Sequence, residues 1–164
     1  MKPTLYLETS VPSYLVAHSS RDVVVLAHQV ITRQWWDEAL SHYEVFISQV
    51  VVEEASGGDP EAAKRRLGLL AHFPILGITE QVETLAGIYV DEMTLPPKAF
   101  RDALHMALAS FHGMHYLVTW NCRHIARGHI KRLLAKINGR EGIDTPTICT
   151  PEELFGEQPC GEIP

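Results

Sequence analysis

Apolar positions fall into two kinds of stretch along this chain. Short runs at Thr4–Leu7, Val45–Ile47, Pro74–Gly77, Tyr116–Thr119 and Thr147–Cys149 are dense in branched and aromatic residues and read as strands. Between them lie longer segments with helical spacing, as where Val23, Ala27, Val30 and Ile31 share one face.

Local signals set the expected ends of the helices. Ser10 is read as the cap of a short helix with Pro12 in its first turn, and Ser20 as the start of a long one reaching about Ser41. Ser48 caps a brief helix, Gln49–Ala55, which Gly57 and Gly58 stop. Asp59-Pro60 opens a helix to about His72, and Thr79 opens one to about Met93. Further helices are expected from Lys98 to Phe111 and from about Arg123 to Ile137. Thr150-Pro151-Glu152-Glu153 reads as a capping box.

Strands alternate with helices and lack a clean apolar/polar alternation of their own. Both features predict an α/β three-layer sandwich, with a central, mostly parallel sheet of about four to five strands and helices on both faces. The expected organisation is a single domain over residues 1–156 and a C-terminal tail over 157–164.

Composition narrows the class without changing this picture. The chain has 164 residues, is 46% hydrophobic and 21% charged, and no apolar run approaches the length of a membrane helix. Its three cysteines, Cys122, Cys149 and Cys160, are odd in number and widely spaced, which fits reduced thiols and an expected cytoplasmic location. A net charge of −6 argues against a protein that merely coats nucleic acid. Positive charge is nevertheless clustered. Arg123, Arg127, Lys131, Arg132, Lys136 and Arg140 come without an intervening acid, as a solvated helix face or a track for phosphates.

In an open parallel sheet, ligands bind beyond the carboxyl ends of the strands. Glu8 follows the first strand there, Glu53 and Glu54 ride the helix after the second, and Asn121 follows the Tyr116–Thr119 strand. Asp102 lies on a helix face with Ala99, Met106 and Ala109, and His105 is beside it. A carboxylate in an apolar stripe must be paired, protonated or bound to metal. Each of these residues also has an ordinary structural reading, as a strand-end acid, a surface acid or a helix cap.

Taken in order, L-Y-L-E-T-S, I-S-Q-V-V-V-E-E, R-D-A-L-H-M-A-L-A and L-V-T-W-N make the chain resemble PIN-domain ribonucleases, over about residues 4–155. The nearest resemblance within them is to VapC-like toxins of toxin–antitoxin pairs. It implies that Glu8, Glu54, Asp102 and Asn121 hold metal, and that these four, with Thr119, form the catalytic set. Glu8 stands where Asp is usual, and Asn121 where another Asp is usual. The implied cofactor is Mg²⁺ or Mn²⁺, and the implied reaction is in-line attack of water on an RNA phosphate, leaving 5′-phosphate and 3′-hydroxyl ends. Implied partners are RNA, a cognate antitoxin protein and a second copy of the chain, with no membrane. Arg123, Arg127 and Lys131 are the expected RNA contacts. Physical chemistry agrees: two carboxylates about 5 Å apart repel by roughly 3 kcal/mol at an effective dielectric near 20, so converging acids need a cation or a proton.

Other readings stay open at this point. Cys122, His124 and His129, or His112 and His115, invite zinc, but no set has the paired spacing of a structural zinc site. A receiver domain would need an acceptor Asp after a middle strand. The stronger rival is a PIN fold that binds RNA or a partner without cleaving it. Trp35, Trp36 and Tyr89 are candidates for a contact surface, with core packing the favoured reading.

Overall fold

The computed structural model describes residues 1–155; the expected tail over 157–164, with Cys160, lies outside the described residues. Five strands form one all-parallel sheet: β1 (Thr4–Leu7), β2 (Glu44–Ser48), β3 (Ile75–Leu76), β4 (Tyr116–Val118) and β5 (Thr147–Cys149), in the order β3-β2-β1-β4-β5. Register is set centrally by Leu5 opposite Val45 on one side and Tyr116 on the other. Strand order reverses between β1 and β4, and in parallel sheets that switch point is where ligands are bound.

Eight helices cover the sheet: α1 (Ser10–Val16), α2 (Val23–Glu38), α3 (Gln49–Ala55), α4 (Pro60–Leu70), α5 (Glu80–Glu92), α6 (Phe100–Phe111), α7 (Gly128–Glu141) and α8 (Pro151–Leu154). Helix α1 packs on α2 and α4, and α2 packs on α8. Helices α5 and α6 pack together, and Asn138 of α7 ties both by accepting from Tyr89 and donating to Ser110 at 3.0 Å. These are the two outer layers, as expected when parallel strands are joined by right-handed crossovers running first one way and then the other.

The strands are buried almost throughout, with Leu5, Tyr6, Leu7, Leu117 and Val118 fully enclosed. Trp35 and Tyr89 are equally enclosed, so both belong to the core and not to a contact surface; Trp36 packs at its margin, edge-on to Phe73. No helix among the described residues is long and apolar enough to cross a membrane.

Several helix ends follow the local chemistry. Ser48, Asp59, Thr79 and Thr150 each accept from a backbone N–H in the first turn, and Glu153 completes the capping box. Others differ. Asp22, not Ser20, caps α2 by accepting from Val24 and Val25, because the Ser20 hydroxyl is used to accept from the Asp22 N–H. Helix α6 begins at Phe100, after a 3₁₀ turn over Pro97–Ala99. Helix α7 begins only at Gly128, because the chain from Asn121 to Ala126 is folded into a turn that Asn121 closes.

Thr94, just past α5, is the one non-glycine residue at positive φ among those described, at 53°. A β-branched side chain is strained in that left-handed region, whereas asparagine tolerates it. Thr94→Asn at this exposed site is expected to raise stability by about 0.5–1 kcal/mol. The measurement is the urea midpoint at unchanged slope; a lower midpoint would show that the threonine is not strained.

Candidate functional site

Glu8 continues the edge of β1: its N–H donates to the Val118 carbonyl at 3.1 Å, which carries the side chain to the switch point. That side chain is buried, and one oxygen, Oε2, is fully engaged. It accepts from the Ser10 N–H at 3.1 Å, from the Ser10 hydroxyl, and from the Thr119 hydroxyl at 2.6 Å. The Ser10 oxygen in turn accepts from the Trp120 N–H, and the Thr119 oxygen from the Asn121 N–H, both at 2.8 Å. So Ser10 does not cap α1; its hydroxyl and that of Thr119 orient Glu8 and fasten the end of β4 to the end of β1.

Glu54 arrives from the other side. β2 runs into Ser48, and α3 carries two adjacent acids that diverge. Glu53 points outward to Arg101 at 3.2 Å, while Glu54 turns in, its Oε2 accepting from the Thr9 hydroxyl at 2.5 Å and bonded to His105 Nε2 at 3.0 Å. A carboxylate at a helix C-terminus opposes the helix dipole, and these partners compensate. Burial pushes the Glu54 carboxyl up, but the His105 and Thr9 bonds, with the charges of His105 and Arg101, bring it below its ordinary value.

His105 lies between the two carboxylates and is almost wholly buried. Nδ1 shares a hydrogen with the Tyr6 hydroxyl at 2.7 Å, which reaches Ser48 Oγ at 2.7 Å; Nε2 lies 4.0 Å from Glu8 Oε1. Burial alone favours the neutral ring, yet the Glu54 bond and the charges of Glu8, Glu54 and Asp102 outweigh it and raise the ring's proton affinity. The Tyr6 hydroxyl, pushed well up by burial, stays neutral beside it.

Ligand atoms of Glu8, Glu54 and His105 all lie within 4.8 Å of one another. Among the described residues, each carboxylate keeps Oε1 clear of hydrogen bonds, while Oε2 is held by the Ser10 and Thr119 hydroxyls in Glu8 and by the Thr9 hydroxyl and His105 in Glu54. That is the donor set a divalent cation needs: two oriented anionic oxygens, with ligand and support on separate atoms. The residues fit Mg²⁺ or Mn²⁺, and the imidazole fits Mn²⁺ better than Mg²⁺.

Asp102 and Asn121 form a second set beside the first. Asn121 Nδ2 donates to Asp102 Oδ1 at 2.9 Å, and His124 Nδ1 is bonded to Asp102 Oδ2 at 2.8 Å. The His124 N–H closes the ring onto Asn121 Oδ1 at 3.0 Å. Of the four expected metal-holding residues, Glu8 and Glu54 therefore converge directly, while Asp102 and Asn121 are bonded to each other. Thr119 supports Glu8. Among the expected RNA contacts, Arg123 and Arg127 are exposed in the segment that follows Asn121, and Lys131 is half-buried with its amino group 3.8 Å from Glu153. Cys122, His124 and His129 do not gather into a metal-ligating group among the described residues.

That His105, Tyr6, Thr9 and Ser10 join the two carboxylates in one cluster was not legible in the sequence. His105 had one signal, its place next to Asp102 on the helix face, but its partners lie 51 and 99 residues away in sequence. No family model matches this chain, and no curated protein is matched by it.

Proposed function

We propose that this protein is a metal-dependent endoribonuclease, with Glu8 and Glu54 holding Mg²⁺ or Mn²⁺ through their free oxygens. The observation that carries the reading is the pair of inward carboxylates, Glu8 held on one oxygen by two hydroxyls and Glu54 on one oxygen by a hydroxyl and His105, at the switch point of a parallel sheet. A bound ion would polarise the phosphate and lower the pKa of a water that attacks it in line. The chain's own part is orientation. Ser10 and Thr119 hold Glu8, Thr9 and His105 hold Glu54, and the exposed Arg123 and Arg127, in the segment after Asn121, are cations that an RNA backbone could use.

The resemblance extends the proposal to a cytoplasmic toxin, acting as a homodimer and restrained by a protein antitoxin. The test of the core reading is cleavage of labelled single-stranded RNA. Purified protein is expected to cut with Mn²⁺ or Mg²⁺ and to stop with EDTA. Cleavage that survives chelation would refute it.

One observation favours a second reading. His105, with its raised proton affinity, can itself supply the positive charge that the two carboxylates require. In that state the pocket needs no ion, and the protein would bind RNA or a partner without cutting. Calorimetric titration with Mn²⁺ separates the two: one ion per chain supports the nuclease, and no heat supports the binder.

A further inference from the structure

Three rings gather at the end of β4, and the candidate metal centre makes no use of them. His28 of α2 stacks on Trp120, with ring centroids 4.0 Å apart and planes 16° from parallel. Tyr14 of α1 meets both rings edge-on, at 6.1 Å from His28 and 6.0 Å from Trp120. Trp120 is buried, whereas Tyr14 and His28 are half-exposed. Val24, one turn before His28 on α2, is exposed and extends the apolar surface.

The platform is fixed in advance. The Trp120 indole N–H donates to the Thr32 hydroxyl at 2.7 Å, and that hydroxyl donates to the His28 carbonyl at 2.6 Å. At its rim, the Tyr14 hydroxyl and both His28 ring nitrogens make no hydrogen bond among the described residues. Rigid ring faces with open polar tips suit a nucleobase, which stacks through its face and hydrogen-bonds through its edge.

The rings are also joined to Glu8. Tyr14 stands four residues after Ser10 on α1, about 6 Å along the helix axis. The Ser10 hydroxyl donates to Glu8 and accepts the Trp120 N–H on the same oxygen. A nucleotide whose phosphate meets Glu8 therefore has its base within reach of Tyr14 and His28.

We propose that Tyr14 and His28 take up one unpaired base beside the scissile phosphate, so that the RNA is cut where it is single-stranded; this rests on the nuclease reading above. In a duplex, each base has its faces covered by neighbours and its pairing edge occupied, and it reaches such a platform only by unstacking.

The test walks an abasic nucleotide along a short labelled single-stranded RNA, with affinity read in EDTA and cleavage read in Mn²⁺. At one position beside the cut, loss of the base is expected to weaken binding by about 10-fold or more. In the double variant Tyr14→Leu/His28→Leu, the same loss is expected to matter by less than about two-fold. Tyr14→Phe, which keeps the ring, is expected to retain the position effect. Iodouracil placed there and irradiated is expected to crosslink to Tyr14 or His28 in the unmodified protein, a result that does not depend on how the variants fold. RNA cut with Mn²⁺ but without such a position, a double variant that keeps the full effect, or crosslinks only elsewhere would each overturn the proposal and leave the nuclease reading standing. RNA bound with that position but left uncut would overturn the nuclease reading and keep the base site. RNA neither bound nor cut would overturn both.

Discussion

Glu8→Gln is expected to lower RNA cleavage by about 10³-fold or more while leaving the fold intact. The amide oxygen can take over the role of Oε2, accepting from Ser10 and Thr119, so the junction of β1 and β4 survives. The amide nitrogen then replaces Oε1, the oxygen left clear of hydrogen bonds, and a nitrogen carrying two protons cannot ligate a cation. The effect sought is comparable to removing a main electrostatic contact to a phosphoryl transition state, worth roughly 3–4 kcal/mol. Melting in EDTA should be little changed, because the charge removed stood beside another carboxylate. Mn²⁺ affinity measured on the same samples should fall in step with turnover. A variant that still cuts at a tenth of the wild-type rate would take Glu8 out of the metal site.

The largest effect on stability is expected at Trp35. Its side chain is fully enclosed in α2, so Trp35→Ala leaves a large void and should cost about 3–5 kcal/mol. The indole N–H, however, is buried with no hydrogen-bond partner among the described residues. Such an orphan donor carries a penalty of roughly 1–3 kcal/mol, which Trp35→Phe would relieve while leaving only a small cavity. The phenylalanine variant is therefore expected within about 1 kcal/mol of wild type. Urea denaturation of both variants checks the pair. A loss of several kcal/mol in Trp35→Phe would mean that the N–H is satisfied in solution.

The layers of the fold were legible because their causes are local or periodic. Ser48, Asp59, Thr79 and Thr150 announce their helices through side chains that reach only two or three residues ahead. The start of α2 was harder, since Ser20 and Asp22 are both competent caps and the choice depends on which one the other serves. The start of α7 was misplaced because Asn121 accepts from the N–H groups of His124, Ile125 and Ala126 and closes a turn where the spacing reads as helix. The site divides the same way. Glu8 and Glu54 stand out by position after strands, and a carboxylate in an apolar stripe marks Asp102. That Asp102 pairs with His124, and that His105 bridges two acids, depends on contacts no spacing rule contains.

The order in which the chain is made bears on when this pocket can exist. β1 lies at the centre of the sheet, yet one of its two neighbours is β4. The Thr119 hydroxyl that orients Glu8 lies 111 residues downstream of it. During synthesis at about 5–20 residues per second, the first strand waits on the order of ten seconds for that neighbour. Until then one side of β1 lacks its pairing partner, and such an open edge attracts other chains. A ribosome-bound fragment ending before Tyr116 therefore contains Glu8 and Glu54 but neither β4 nor the Thr119 hydroxyl that orients Glu8. On the nuclease reading proposed above, cleavage can begin only after β4 has joined the sheet beside β1.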